Sequence, residues 1–365
     1  MTYTGLSNSE RASFALRNLY AAYGYTPYKM NKFEEYDLYV RNKDFLISDS
    51  VITFTDTNGR LLALKPDVTL SIVKNTRDVG GVQKVYYNEN VYRVSESTHA
   101  FREIMQAGLE CIGEVDDYCL YEVLLLAANS LATVSDSWVL DISHIGVLSS
   151  LLAPLGAQTS EQLLRCIGEK NRHELAAVCA QYGVDADTRD ALVTLISTYG
   201  APSAVLPVLR DRLGDNEALA QLERLIGAFD EQTAARLRID FSVIENTTYY
   251  NGLVFKGFID GVPDSVLSGG QYDNLLKKLG RRSGAVGFAV YLDSLERLET
   301  AEEPYDTDVV LLYSGAPLSA VKAAAQQLAT EGRRVLTTTA LPEKLRYRQL
   351  WQLNENGVTL LEDRT

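Results

Sequence analysis

The feature that most constrains this chain is an interrupted pattern. Apolar and polar side chains alternate with a period of two from Phe45 to Lys65, and the alternation resumes at "LRIDFSVIENTTYYNGLVFKGF", but residues 146–235 follow a helical period instead. Strands on both sides of such a run must close one sheet from distant parts of the chain. The expected fold is therefore α+β, with antiparallel sheet and helices in one domain. Residues 1–145 and 236–300 would form this discontinuous domain, residues 146–235 an all-helical insertion, and residues 303–365 a short α/β tail.

Local signals fill in the frame. Residues 8–23 space Phe14, Leu16, Leu19, Tyr20 and Tyr23 close to 3.6 residues apart, with Asn8 or Ser9 as the expected cap. "VITFTDTNGRLLALK" places Asn58-Gly59 between two alternating runs, which predicts a hairpin. "VQKVYYNENVYRV" and "FREIMQAGLECIG" read as strands, and "DDYCLYEVLLLAANSLATV" as a long helix capped by Asp116 or Asp117. In the insertion, Thr159 with Gln162 and Asn216 before "EALAQLERLIGAF" mark helix starts. The tail reads as β-α-β, with "GVTLLE" as a last strand.

Composition narrows the function classes. With 35 basic against 48 acidic residues the net charge is −13, which argues against a surface built to grip a polyanion such as tRNA. No apolar run approaches the roughly 20 residues that cross a bilayer. "MTYTGLSNSERASF" has no basic region followed by an apolar stretch, so a cytoplasmic protein is expected. Cys111, Cys119, Cys166 and Cys179 are irregularly spaced without a CxxC pair, and His99, His144 and His173 are scattered, so neither a metal site nor a cofactor is expected.

Candidate chemistry begins at "FREIMQAGLE". In a strand, Arg102, Gln106 and Glu110 share one face while Glu103, Met105 and Leu109 share the other. Gln106 and Glu110 would lie about 13 Å apart along it, at roughly 3.3 Å per residue. That face is either a polar ligand site or an ordinary solvated sheet face. Tyr249 and Tyr250 raise the same choice, since tyrosines are common sheet formers. "SGGQYDNLLKKLG" reads as a glycine pair entering a helix, where backbone N–H groups could approach a ligand or only make a tight turn.

Taken in order, these segments resemble histidyl-tRNA synthetases. Leu64-Lys65-Pro66-Asp67-Val68-Thr69 looks like that family's "LRPEGT", and Gln106 to Glu110 looks like its "QFGVE" strand. Glu245 to Tyr250 looks like its "RGLDYY", and Gly269 to Leu275 like its "GGRYDGL". The resemblance implies the class II synthetase fold and a histidine pocket made by Asp67, Thr69, Gln106, Glu110, Tyr249 and Tyr250.

The departures lie at the nucleotide end. Glu245, Gln271 and Ser294 stand where the family carries arginines, although Arg93 aligns with the arginine of the second synthetase signature. Removing one donor aimed at developing phosphate charge costs about 10² to 10³ in rate, so adenylate formation is not expected. A chain with this pattern and a shortened anticodon-like tail resembles the regulatory subunits of ATP phosphoribosyltransferase, a paralogue family. That resemblance implies self-association, a hetero-oligomer with the short catalytic subunit, often four of each, and L-histidine as a possible effector. A working histidyl-tRNA synthetase or another amino-acid-binding paralogue is the alternative.

Overall fold

In the helix Asn8–Ala22 the cap is Ser7, one residue earlier than expected, because it forms a reciprocal capping box with Glu10. Leu16 and Tyr20 face the core, whereas Phe14 is 53% exposed and leaves the expected apolar stripe. Asp116 starts the helix Asp117–Val134 by accepting the Cys119 N–H, and Asn216 caps Glu217–Gly227 through the Leu219 N–H. Thr159 caps nothing. It lies buried within Ala157–Gly168, a helix that begins after Gly156.

This computed structural model describes residues 6–42, 51–78, 80–94, 98–244, 249–298, 304–355 and 357–364. Phe45, at the start of the first alternating run, and Glu245 lie outside the described residues. The chain forms two compact units, Met1–Leu298 and Glu299–Thr365.

The first unit is built on an eight-stranded sheet. From one edge its order is Thr26–Pro27, Val82–Val94, Phe101–Gly113, Gly284–Tyr291, Leu267–Gln271, Leu253–Ile259, Trp138–His144 and Leu237–Ile239. The interior pairings are antiparallel, and each edge strand runs parallel to its neighbour. Between Trp138–His144 and Leu237–Ile239 the chain forms a succession of helices from Ile145–Leu152 to Glu231–Ala234. The strands before and after that run are sheet neighbours, with Leu140 opposite Leu237, so the helical run begins and ends on adjacent strands.

The Asn58-Gly59 hairpin forms, with Gly59 at φ 80° and the Asp56 carboxylate accepting the Asn58 and Arg60 N–H groups. Its strands, Thr53–Thr55 and Leu61–Leu64, belong to a separate three-stranded sheet with Phe33–Glu35. That small sheet carries Lys65 to the main sheet. Lys65, 1% exposed, pairs there with Glu89 on Val82–Val94.

The second unit is a four-stranded sheet in the order Val335–Thr338, Thr307–Tyr313, Tyr347–Asn354 and Gly357–Asp363, with the helix Leu318–Thr330. Apolar side chains of the strands, among them Val309, Leu311 and Leu353, pack with Val321 and Leu328 of the helix. The strand Tyr347–Asn354 lies between the first and last predicted strands and was not expected. No helix among the described residues is long and apolar enough to cross a membrane. The four cysteines are buried and unbridged, and the described residues hold no cluster of three potential metal ligands.

Candidate functional site

Sheet register assembles the site. Phe101–Gly113 pairs with Gly284–Tyr291 so that Gln106 is opposite Tyr291 and Glu110 is opposite Gly287. Gln106 is 3% exposed and Glu110 is 2% exposed, so the strand face that could have been solvated is covered at both positions, while Arg102 stays exposed. Pro66 leads into the helix Thr69–Asn75. There Asp67 Oδ1 accepts the Leu70 N–H at 2.8 Å, satisfying an otherwise orphaned donor of the first turn. Asp67, Thr69, Gln106, Glu110, Tyr249 and Tyr250 all line one cavity, so the structure brings together every expected pocket residue.

The floor of that cavity is a hydrogen-bonded carboxyl. Thr69 Oγ1 donates to Glu110 Oε1 at 2.8 Å, and the Tyr272 hydroxyl donates to Oε2 at 2.5 Å. Burial raises the Glu110 carboxyl to about 8; the two hydroxyl bonds pull it back down and the nearby Asp67 pushes it further up. Burial also raises Asp67, opposed by the Leu70 N–H and by the charge of Arg93. Two carboxyl groups thus face a space where ionisation is costly unless a cation or hydrogen bonds compensate. Among the described residues the Gln106 side-chain amide makes no hydrogen bond, which leaves its donors and acceptor for an occupant or for water.

The sequence reading left out several parts of this site. Tyr87, Tyr272, Tyr291, Ser268 and Gly287 also line the cavity. Gly287 is needed because a Cβ there would fall 1.7 Å from Glu110 Oε2. Tyr272 lies inside the "GGQYDNL" match, so its signal was on the page; the role of Gly287 depends on a cross-strand register that no local pattern reveals. The tyrosine pair has a T-shaped contact, with ring centroids 4.7 Å apart, and Tyr249 also meets Tyr272 at 5.7 Å.

The glycine pair is not a helix entrance. Gly269 and Gly270 lie within the strand Leu267–Gln271 and pair with strands on both sides, so this stretch belongs to the sheet interior rather than to a ligand-facing turn. Glycine is required there by close packing, since a Cβ on Gly270 would sit 2.7 Å from the Tyr250 ring. At the positions aligned with the nucleotide end, the Gln271 amide donates to Asp273 at 2.8 Å, and Ser294 lies in the short helix Leu292–Leu295. Arg93 Nε donates to the Pro66 carbonyl at 3.0 Å while its Nη2 is buried without a partner. None of these three lines the cavity.

Comparison with known proteins gives this arrangement a context. A family model described as histidyl-tRNA synthetase matches residues 6–295. The chain is 29% identical over 314 residues to a protein of Oceanobacillus iheyensis named ATP phosphoribosyltransferase regulatory subunit, covering 83% of this chain and 77% of the relative. A Bacillus halodurans structure titled as an ATP phosphoribosyltransferase regulatory subunit/histidyl-tRNA synthetase shares the fold. Its TM-score is 0.78 at 22% identity, over 95% of this chain and 94% of that one. The ATP phosphoribosyl transferase (HisG:HisZ) complex of Thermotoga maritima contains a similar chain, with a TM-score of 0.63 at 19% identity over 80% of this chain and 98% of that one. With a family model that matches residues 6–295, most of its length, the chain belongs to the histidyl-tRNA synthetase family.

Proposed function

We propose that this chain is a non-catalytic regulatory subunit of ATP phosphoribosyltransferase. It assembles with the short catalytic subunit, four copies of each, to support the first step of histidine biosynthesis, and its buried cavity takes L-histidine as an effector. The observation that carries this reading is the split between the two ends of the family's site. The amino-acid end keeps Thr69, Gln106, Glu110, Tyr249 and Tyr250, with Asp67 in place of a glutamate, around one cavity. The nucleotide end carries Glu245, Gln271 and Ser294 at the family's arginine positions. The name of the Oceanobacillus relative supports the same reading, as does the fold shared with a chain of the Thermotoga complex.

In this role the protein needs to hold histidine without activating it. Carboxyl groups of Asp67 and Glu110 receive the ammonium group and ring N–H donors, Gln106 completes the polar contacts, and the tyrosines enclose the ring. The sequence carries Glu245, Gln271 and Ser294 where the family has cations for the phosphates, so an adenylate is not stabilised. The test is histidine-dependent exchange between ATP and pyrophosphate by the purified chain. Exchange is expected to stay at background with and without histidine. Exchange that rises with histidine would reject the regulatory reading in favour of a working synthetase.

A further inference from the structure

The cavity presents two buried carboxyl groups, from Asp67 and Glu110, and no lysine, arginine or histidine among the described residues that line it. Its walls are aromatic, with five tyrosines and Phe288. An amino acid brings both an ammonium and a carboxylate, yet the described lining offers an opposite formal charge only to the first, leaving neutral donors such as Gln106 for the second. A ligand carboxylate placed against Asp67 or Glu110 would add a third acid to a desolvated space, where like charges cannot all ionise cheaply. An ammonium in the same place gains the carboxyl oxygens and the electron-rich ring faces together.

We propose that this pocket selects its ligand by the ammonium group and the ring and does not read the α-carboxylate, so its ligand class is small aromatic or imidazolyl primary amines, of which histidine is one. The inference rests on the histidine reading of the same cavity and deepens it. Placement follows from the fold. Glu110 is held by Thr69 and Tyr272, and Gln106 lies two pleat repeats away, about 13 Å, along the same strand face. The ring therefore lies among the tyrosines with the ammonium on the carboxyl groups, and the carboxylate, carried by the same carbon, has no lysine, arginine or histidine among the described lining residues beside it.

The experiment is calorimetric titration of the full-length chain with three probes that differ by one group: L-histidine, histamine, which lacks the carboxylate, and 3-(imidazol-4-yl)propionate, which lacks the amine. Histamine is expected to bind within about threefold of histidine, and the propionate at least about tenfold more weakly, the loss expected for one charged hydrogen-bonding group. Glu110→Gln should weaken histamine at least as much as histidine. Binding of histidine with histamine at least about tenfold weaker would overturn this inference and leave the histidine pocket standing. No binding by any of the three would overturn the histidine reading and this inference with it. Unchanged histamine affinity in Glu110→Gln would place the amine site elsewhere and overturn the inference.

Discussion

Glu110→Ala is expected to weaken L-histidine binding by about 10- to 100-fold, because a buried hydrogen bond to a charged ligand group contributes about 1.5 to 3 kcal/mol and each 1.4 kcal/mol is tenfold. The variant also leaves the Thr69 and Tyr272 hydroxyls without their shared acceptor. A pH series gives the same residue a second signature. Burial holds the Glu110 carboxyl near 8, above its ordinary value, so the proton is bound at neutral pH. An ammonium ligand favours the ionised form, so binding below that value releases a proton. Affinity should then rise between pH 6 and about 8, by up to about tenfold per unit, and level off above it. Among the described residues, the groups that act on Glu110 or are acted on by it are Asp67, Thr69, Tyr87, Tyr249, Tyr250 and Tyr272, none of them a cation. Titration calorimetry in buffers of different ionisation enthalpy measures the released proton directly. Equal affinity at pH 6 and 8, or an unchanged affinity in Glu110→Ala, would contradict this role.

Glu89→Ala should destabilise the first unit by about 3–5 kcal/mol, the cost of leaving one partner of a buried ion pair uncompensated. Lys65 has a side-chain exposure of 1% and its Nζ pairs with Glu89, whose side chain is 17% exposed. Removing the carboxylate strands an ammonium in the core, whereas replacing both residues with apolar ones of similar size should recover most of the loss. Urea denaturation followed by circular dichroism separates the two outcomes. If Glu89→Ala and the double replacement unfold at the same urea concentration, the pair is not what holds Lys65 in place.

Much of the fold could be read from local chemistry. The caps Asp116 and Asn216 and the Asn58-Gly59 turn are signals carried by two to four adjacent residues, and each appears where such signals place it. The failures have a common cause. Thr159 and Gln162 have capping-box spacing, but Gly156 enters the helix three residues earlier and leaves Thr159 inside it. The strand Tyr347–Asn354 carries Arg348, Gln349 and Gln352 and lacks a clean alternation, and it forms because two neighbouring strands already offer their edges. Gly269 and Gly270 were misread because a glycine needed for close strand packing looks, in isolation, like a glycine needed for a turn. The pocket's polar residues were legible through the motif order. Its floor was not, because the contact of Tyr272 with Glu110 spans 162 positions and the clearance at Gly287 exists only once the sheet is in register.

The central claim is that this chain works with a catalytic subunit rather than alone. Its most direct test is to mix the purified chain with the short ATP phosphoribosyltransferase subunit from the same source and follow size-exclusion elution together with transferase activity. The account predicts a single co-eluting complex and a transferase rate that depends on the presence of this chain. Separate elution, with a transferase rate identical in its absence, would contradict it.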